Sequence, residues 1–97
     1  MPKAYVIVEV NVQDADGYAE YRKLSTAALE QYGGTFLVRG GAITVEEGDW
    51  QPQRLVILEF ADMAAARRWY ESPEYTQAKA LRQKYAISNL IFIEGAS

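Results

Sequence analysis

The chain has 97 residues, a net charge of −3 and a hydrophobic content of 49%, the profile of one folded domain rather than a disordered chain. It has no cysteine and no histidine, which excludes disulfides, thiolate nucleophiles, histidine-dependent serine triads, imidazole zinc sites and histidine-ligated haem. The acidic balance argues against nucleic acid, no apolar run reaches the ~18–20 residues of a membrane span, and the N-terminus lacks a signal-peptide pattern, so a cytoplasmic location is expected.

Lys3 to Asn11 reads as the first strand. Ala4, Val6, Val8 and Val10 make one apolar face, and Tyr5, Ile7, Glu9 and Asn11 make the other. Asp14 is placed to cap a helix that runs to about Tyr32, with Tyr18, Tyr21, Leu24, Ala28 and Tyr32 along one stripe. Gly33 and Gly34 end it.

Phe36 and Val38 begin a second strand pattern, but the apolar positions shift parity to Ile43 and Val45 beyond Gly40 and Gly41. A parity change inside a strand requires an inserted residue, so the glycines mark either a bulge or a plain loop between two short strands. Glu47 to Gln53 is a turn, and Arg54 to Phe60 is a strand apolar on both faces except at Glu59.

Asp62 caps a short helix carrying Ala66, Trp69 and Tyr70 on one face. Pro73 interrupts it and opens a new helix capped by Ser72, which runs to about Tyr85. Ile87 to Glu94 is the last strand.

Strand, helix, two strands, a helix split at Ser72 and Pro73, and a strand make a ferredoxin-like βαββαβ sandwich of the α+β class spanning residues 1–97. The first and third strands should be central, with all helices on one face. Val6, Val8, Phe36, Val38, Val56 and Leu58 would face the helices. Tyr5, Ile7, Leu37, Leu55 and Ile57 would then form an uncovered apolar patch. A second copy stacked on that face would bury it, so a homodimer is expected.

The segments AYVIVEV, YAEY, YGG, FLVRGG, EGDW, LEF and RRWYESPEY, at the spacing seen here, resemble the domain-of-unknown-function family numbered thirteen-thirty. The resemblance covers nearly the whole chain and implies a dimeric α+β barrel. Superfamilies of that fold include cofactor-free monooxygenases, muconolactone isomerases, haem-degrading oxygenases and chlorite dismutases. The family itself carries no established activity, and fold kinship does not supply one.

Glu9, Asn11, Arg39 and Glu59 are polar positions on strands expected to be covered. Pairing of Arg39 with Glu9 or Glu59 is expected, either as a structural ion pair at the dimer seam or as a catalytic set. In the catalytic reading a desolvated carboxylate is the general base and Arg39 holds an anionic or enolate-like group. Tyr18 and Tyr21 either pack in the core or line a pocket. Trp50 lies in a turn and packs on a partner, caps a pocket mouth or folds back on its own chain, with Arg54 stacked on it or meeting an acid.

No metal site and no cofactor are expected. Two functions remain open: a cofactor-free enzyme or binder acting on an organic acid, phenol or enol by proton transfer or monooxygenation, and a non-catalytic homodimer. An enclosed cavity of about 300 Å³ lined by Arg39 and a carboxylate would favour the first.

Overall fold

Alternation along the first strand decides which side of the sheet is dry. In the computed structural model, which describes residues 2–96, Ala4, Val6, Val8 and Val10 are all at most 4% exposed. The elements in chain order are β1 (Ala4–Val12), α1 (Ala15–Gln31), β2 (Thr35–Arg39), β3 (Leu55–Phe60), α2 (Met63–Glu71), α3 (Pro73–Tyr85) and β4 (Ala86–Glu94). The strands form one antiparallel sheet in the order β2-β3-β1-β4, with β1 and β3 central as expected. This is the ferredoxin-like α+β sandwich. The slab is 16 Å along its thinnest axis, room for the sheet and one helix layer.

The helices end where side chains can satisfy their free backbone groups. Asp14 accepts from the Gly17 amide at 3.1 Å, and Asp62 accepts from the Ala65 amide at 2.7 Å. Ser72 is buried between α2 and α3, and its hydroxyl accepts from the Tyr75 amide at 3.0 Å while donating to the Trp69 carbonyl at 2.7 Å. One serine therefore ends one helix and starts the next. Gly33, at φ 78°, closes α1, and the Gly34 amide reaches back to the Leu29 carbonyl at 3.0 Å.

Trp69 is the centre of the helix-side core. Its ring lies 4.1 Å from Tyr75 and 5.3 Å from Phe60, centroid to centroid. Tyr70 then meets Phe92 edge-on at 5.7 Å, carrying the aromatic packing to the outer strand β4.

Four expectations change. The extra residue in β2 is Leu37, not the glycine pair, because Phe36 pairs with Leu58 while Val38 pairs with Ile57. The bulge therefore comes earlier and turns everything after it over. Val38, expected against the helices, is exposed on the open face, and Arg39, paired with Val56, comes to the helix side. Beyond Arg39 there is no continuing strand. Gly40 adopts φ 72°, its amide makes a last bond to Leu55 at 2.9 Å, and β3 offers no further partner, so Ile43 and Val45 lie in an irregular, exposed segment. Finally, Leu24 is 41% exposed; Ser25 and Leu29 take the buried positions on α1 instead.

Candidate functional site

The faces of the sheet divide the residues singled out from sequence into separate places. Glu9 and Asn11 hold odd positions on β1 and lie on the face away from the helices. There the Glu9 carboxylate accepts from the Trp50 indole at 2.8 Å and from the Asn89 amide at 3.1 Å. Asn11 accepts from Gln13 at 3.0 Å, and Asn11, Glu9, Gln51, Gln53 and Asn89 border an open cleft of about 250 Å³. Glu59, opposite Tyr5 on the same face, pairs with Lys3 at 3.4 Å.

Arg39 meets neither carboxylate. The bulge at Leu37 carries it to the other face, where its Nη2 donates to Thr26 Oγ1 at 2.8 Å and its guanidinium lies 4.2 Å over the Phe36 ring. The expected Arg39–carboxylate pair is thus absent, and Glu9, Arg39 and Glu59 do not form one constellation. Trp50 folds back on its own chain far enough to donate to Glu9, and its ring stays 61% exposed. Arg54 does not reach Trp50. It packs under Gly40 and beside the Tyr18 hydroxyl instead.

The helix face gathers the remaining groups into a groove between α1 and the sheet. Tyr18, Tyr21, Arg22, Ser25 and Thr26 come from α1, Phe36 and Arg39 from β2, and Tyr75 from α3. Helical spacing explains the α1 set, since steps of three and four residues return to one face. Thr26 is fixed by two bonds, donating to the Arg22 carbonyl at 2.8 Å and accepting from Arg39. The inner cavity is small, about 30 Å³, close to the volume of one water molecule in the liquid. It shares Arg22, Thr26 and Arg39 with a surface cleft of about 480 Å³, and Tyr18, Arg22 and Arg54 with another of about 300 Å³. This groove is therefore not the enclosed 300 Å³ cavity with a carboxylate.

Charge distinguishes this groove. Arg22, Arg39 and Arg54 line it, and no Asp or Glu does. None of these arginines has a carboxylate within salt-bridge distance among the described residues, and the buried Nε of Arg54 has no acceptor. Buried donors are nearly always paired, so this orphan is a chemical feature. Burial raises the Tyr18 pKa above the usual phenol value, the neighbouring Tyr21 adds to that, and the Arg54 guanidinium opposes it. Among the described residues no cluster of Asp and Glu could hold a metal ion.

Sequence reasoning missed Arg22, Ser25, Thr26 and the buried Arg82, and read Tyr75 as a buried residue of its helix stripe. A signal existed for most of them. Arg22 follows Tyr18 by one helical turn, and Arg82 sits on the Tyr75–Ala78 stripe at the next four-residue step.

A family assignment follows from the whole sequence. Residues 3–96 match the family described as Domain of unknown function (DUF1330). The chain belongs to that family. Among curated proteins none matches. This DUF1330 chain is similar in fold to a protein of unknown function from Rhodopseudomonas palustris, at 22% identity and a TM-score of 0.76 over 99% of this chain and 84% of that one. It is similar to SnoaB, a cofactor-independent oxygenase from Streptomyces nogalater, at 14% identity and a TM-score of 0.72 over 100% of this chain and 96% of that one. A dimeric protein of unknown function with a ferredoxin-like fold from Bacteroides fragilis is similar at 12% identity, with a TM-score of 0.56 over 95% of each chain. Identities this low show a shared fold. No helix among the described residues is long and apolar enough to cross a membrane.

Proposed function

We propose that this DUF1330 protein binds a small aromatic or enolic anion in the α1–sheet groove and acts on it without a resident cofactor. The observation that carries the reading is the set Arg22, Arg39 and Arg54 converging on one groove with no carboxylate among its lining residues, in a chain whose net charge is −3. A negative chain that gathers unpaired guanidiniums in one place has an electrostatic reason only if an anion comes there. Aromatic walls from Tyr18, Tyr21 and Phe36 suit a flat ligand.

The reaction that suits such a site is oxygen insertion into an ionised enol or phenol. The arginines stabilise the oxyanion, and the electron-rich carbon of that anion reacts with dioxygen. A ring CH2 becomes C=O, with one oxygen atom in the product and the other leaving as water. Because the groove lacks a carboxylate base, its substrates are molecules acidic enough to ionise once the arginines hold them. The fold likeness to a cofactor-independent oxygenase supports this class and no particular substrate.

A panel of aromatic acids, phenols and enols tests the reading by thermal shift, followed by oxygen uptake with every binder. Anionic members should raise Tm, and Arg39→Ala should abolish most of the rise. If no anion in the panel shifts Tm, the groove is not an anion site and the reading fails.

The uncovered sheet face supports a second element, assembly as a homodimer. Ile87, Ile91 and Ile93 of β4 are 67%, 54% and 49% exposed, and Leu37 is 50% exposed. Tyr5, Ile7, Leu55 and Ile57 continue the patch across the central strands. A face this apolar is rare on a monomer and is wide enough for the ~800 Å² per partner of a standard interface. Glu9, Asn11 and Trp50 would then lie at the seam, in a structural role. Sedimentation equilibrium checks it: a monomer mass at micromolar concentration would rule the dimer out. A chain that dimerises yet binds no anion would instead be the non-catalytic homodimer.

A further inference from the structure

At the floor of the groove the Tyr21 and Tyr75 hydroxyls lie 3.0 Å apart. Two hydroxyls carry two protons, and one contact uses only one of them. Which tyrosine donates follows from their surroundings. Tyr75 is 0% exposed, and Tyr21 is its hydroxyl's only hydrogen-bond partner among the described residues. Both rings line the cavity, but Tyr21, at 8% exposed, keeps some open surface on which to find another acceptor. A buried hydroxyl proton left without an acceptor is expensive, so the Tyr75 proton goes to the Tyr21 oxygen.

Arg82 favours the same direction. It is 4% exposed on α3, two turns from Tyr75, and its Nε and Nη1 have no acceptor. Its positive charge acts on the Tyr75 hydroxyl and strengthens it as a donor, while burial holds Tyr75 protonated far above the usual phenol range. A donor strengthened in this way polarises the next hydroxyl in line.

We infer that Tyr75 and Tyr21 form a relay that leaves the Tyr21 proton free to donate to one ligand oxygen in the inner cavity, making Tyr21 the residue that selects ligands with an acceptor oxygen. The cavity volume of about 30 Å³ suits this role, because it admits a group the size of one oxygen while the rest of the ligand stays in the outer clefts. The inference rests on the anion-binding reading above and sharpens it. The selected oxygen is a phenolate, enolate, carboxylate or carbonyl oxygen. Tyr75 acts through Tyr21 and is a positioning residue.

The test uses 4-nitrophenolate, at a pH where it is ionised, against nitrobenzene, which carries the same nitro group and lacks the phenolate oxygen. Binding is followed by quenching of tryptophan fluorescence, with near-ultraviolet circular dichroism confirming the fold of each variant. Wild type should prefer the phenolate by roughly ten- to hundredfold. Tyr21→Phe should lower that preference several-fold, the arginines supplying the rest, and leave nitrobenzene binding unchanged. Tyr75→Phe should reduce the preference several-fold, and that reduction should vanish in the Tyr21→Phe background, because a relay is non-additive. If wild type binds phenolate and Tyr21→Phe keeps the full preference, the relay is wrong while the anion site stands. Should Tyr21→Phe fail to fold, a Tyr75→Phe protein with the wild-type preference overturns the relay equally. No binding of phenolate, benzoate or any other anion by wild type overturns the groove reading and the relay together.

Discussion

Trp50 Nε1 donates to Glu9 Oε2 at 2.8 Å across 41 residues of sequence, tying the irregular segment after β2 to the open face of the central strand. The bond is charge-assisted, and its indole stays 61% exposed, so it holds the segment in position and leaves the ring available to a second subunit. Trp50→Ala should therefore leave the fold intact and weaken dimerisation by roughly tenfold or more, read by sedimentation equilibrium. An unchanged dimer constant would confine Trp50 to its intrachain role.

Gly40 joins the same segment to the groove. It has φ 72°, and a Cβ there would collide with the Arg54 guanidinium. Gly40→Ala should cost about 1–2 kcal/mol in denaturant unfolding, from the left-handed backbone alone. It should also displace Arg54 and lower anion affinity several-fold. Loss of stability with unchanged affinity would remove Arg54 from the site.

Ser72 satisfies two helix ends at once, and apolar packing covers it. Ser72→Ala should lower stability by about 1–2 kcal/mol, the upper half of the range for a lost cap, because the buried Tyr75 N–H loses its acceptor, while the Trp69 C=O keeps the Ser72 amide at 3.2 Å. A change below ~0.5 kcal/mol would show that backbone or water contacts replace the hydroxyl easily.

The alkaline limb of stability should follow the buried phenols. Burial raises the pKa of Tyr75, and of Tyr18 less strongly, in the folded chain. Their contribution is complete below the unfolded phenol pKa of about 10 and is lost as pH rises past it, since the unfolded chain then releases protons the folded chain keeps. Each tyrosine still protonated in the fold adds a slope of about 1.4 kcal/mol per pH unit. Tyr75→Phe should reduce the slope above pH ~10 by about one such step, measured by urea unfolding across pH. An unchanged slope would mean that Tyr75 ionises in the native state.

On the acid side, the Tyr32 hydroxyl donates to the Glu74 carboxylate at 2.7 Å, and that bond holds the Glu74 pKa below its ordinary value. The stabilisation is present above the unfolded glutamate pKa and is lost as pH falls through the lower folded one. Tyr32→Phe should raise the Glu74 pKa toward its ordinary value, read by NMR of its side-chain carboxyl. A Glu74 pKa that stays low would assign the shift to the helix N-terminus instead.

Short-range patterns determined the elements of this fold. Valines at every second position made β1 and set its dry face, and Asp14, Asp62 and Ser72 marked helix starts through bonds to amides only three residues away. The split at Pro73, the strand order and the family resemblance were equally visible. Tertiary structure decided the site. Arg39 and Glu9 both read as polar residues of covered strands, yet one inserted residue, Leu37, put them on opposite faces of the sheet. Sequence did not mark the inserted residue: the change of parity lay beyond Gly40, in a segment that forms no strand, whereas Leu37 falls inside the even-numbered apolar run Phe36 and Val38. The pairing of β2 with β3 marks it, because it forms by hydrogen bonds between segments far apart in the chain. The Tyr21–Tyr75 contact spans 54 residues and depends on α1 and α3 packing side by side. Helix spacing fixes which face each tyrosine takes, and only packing brings the two faces together.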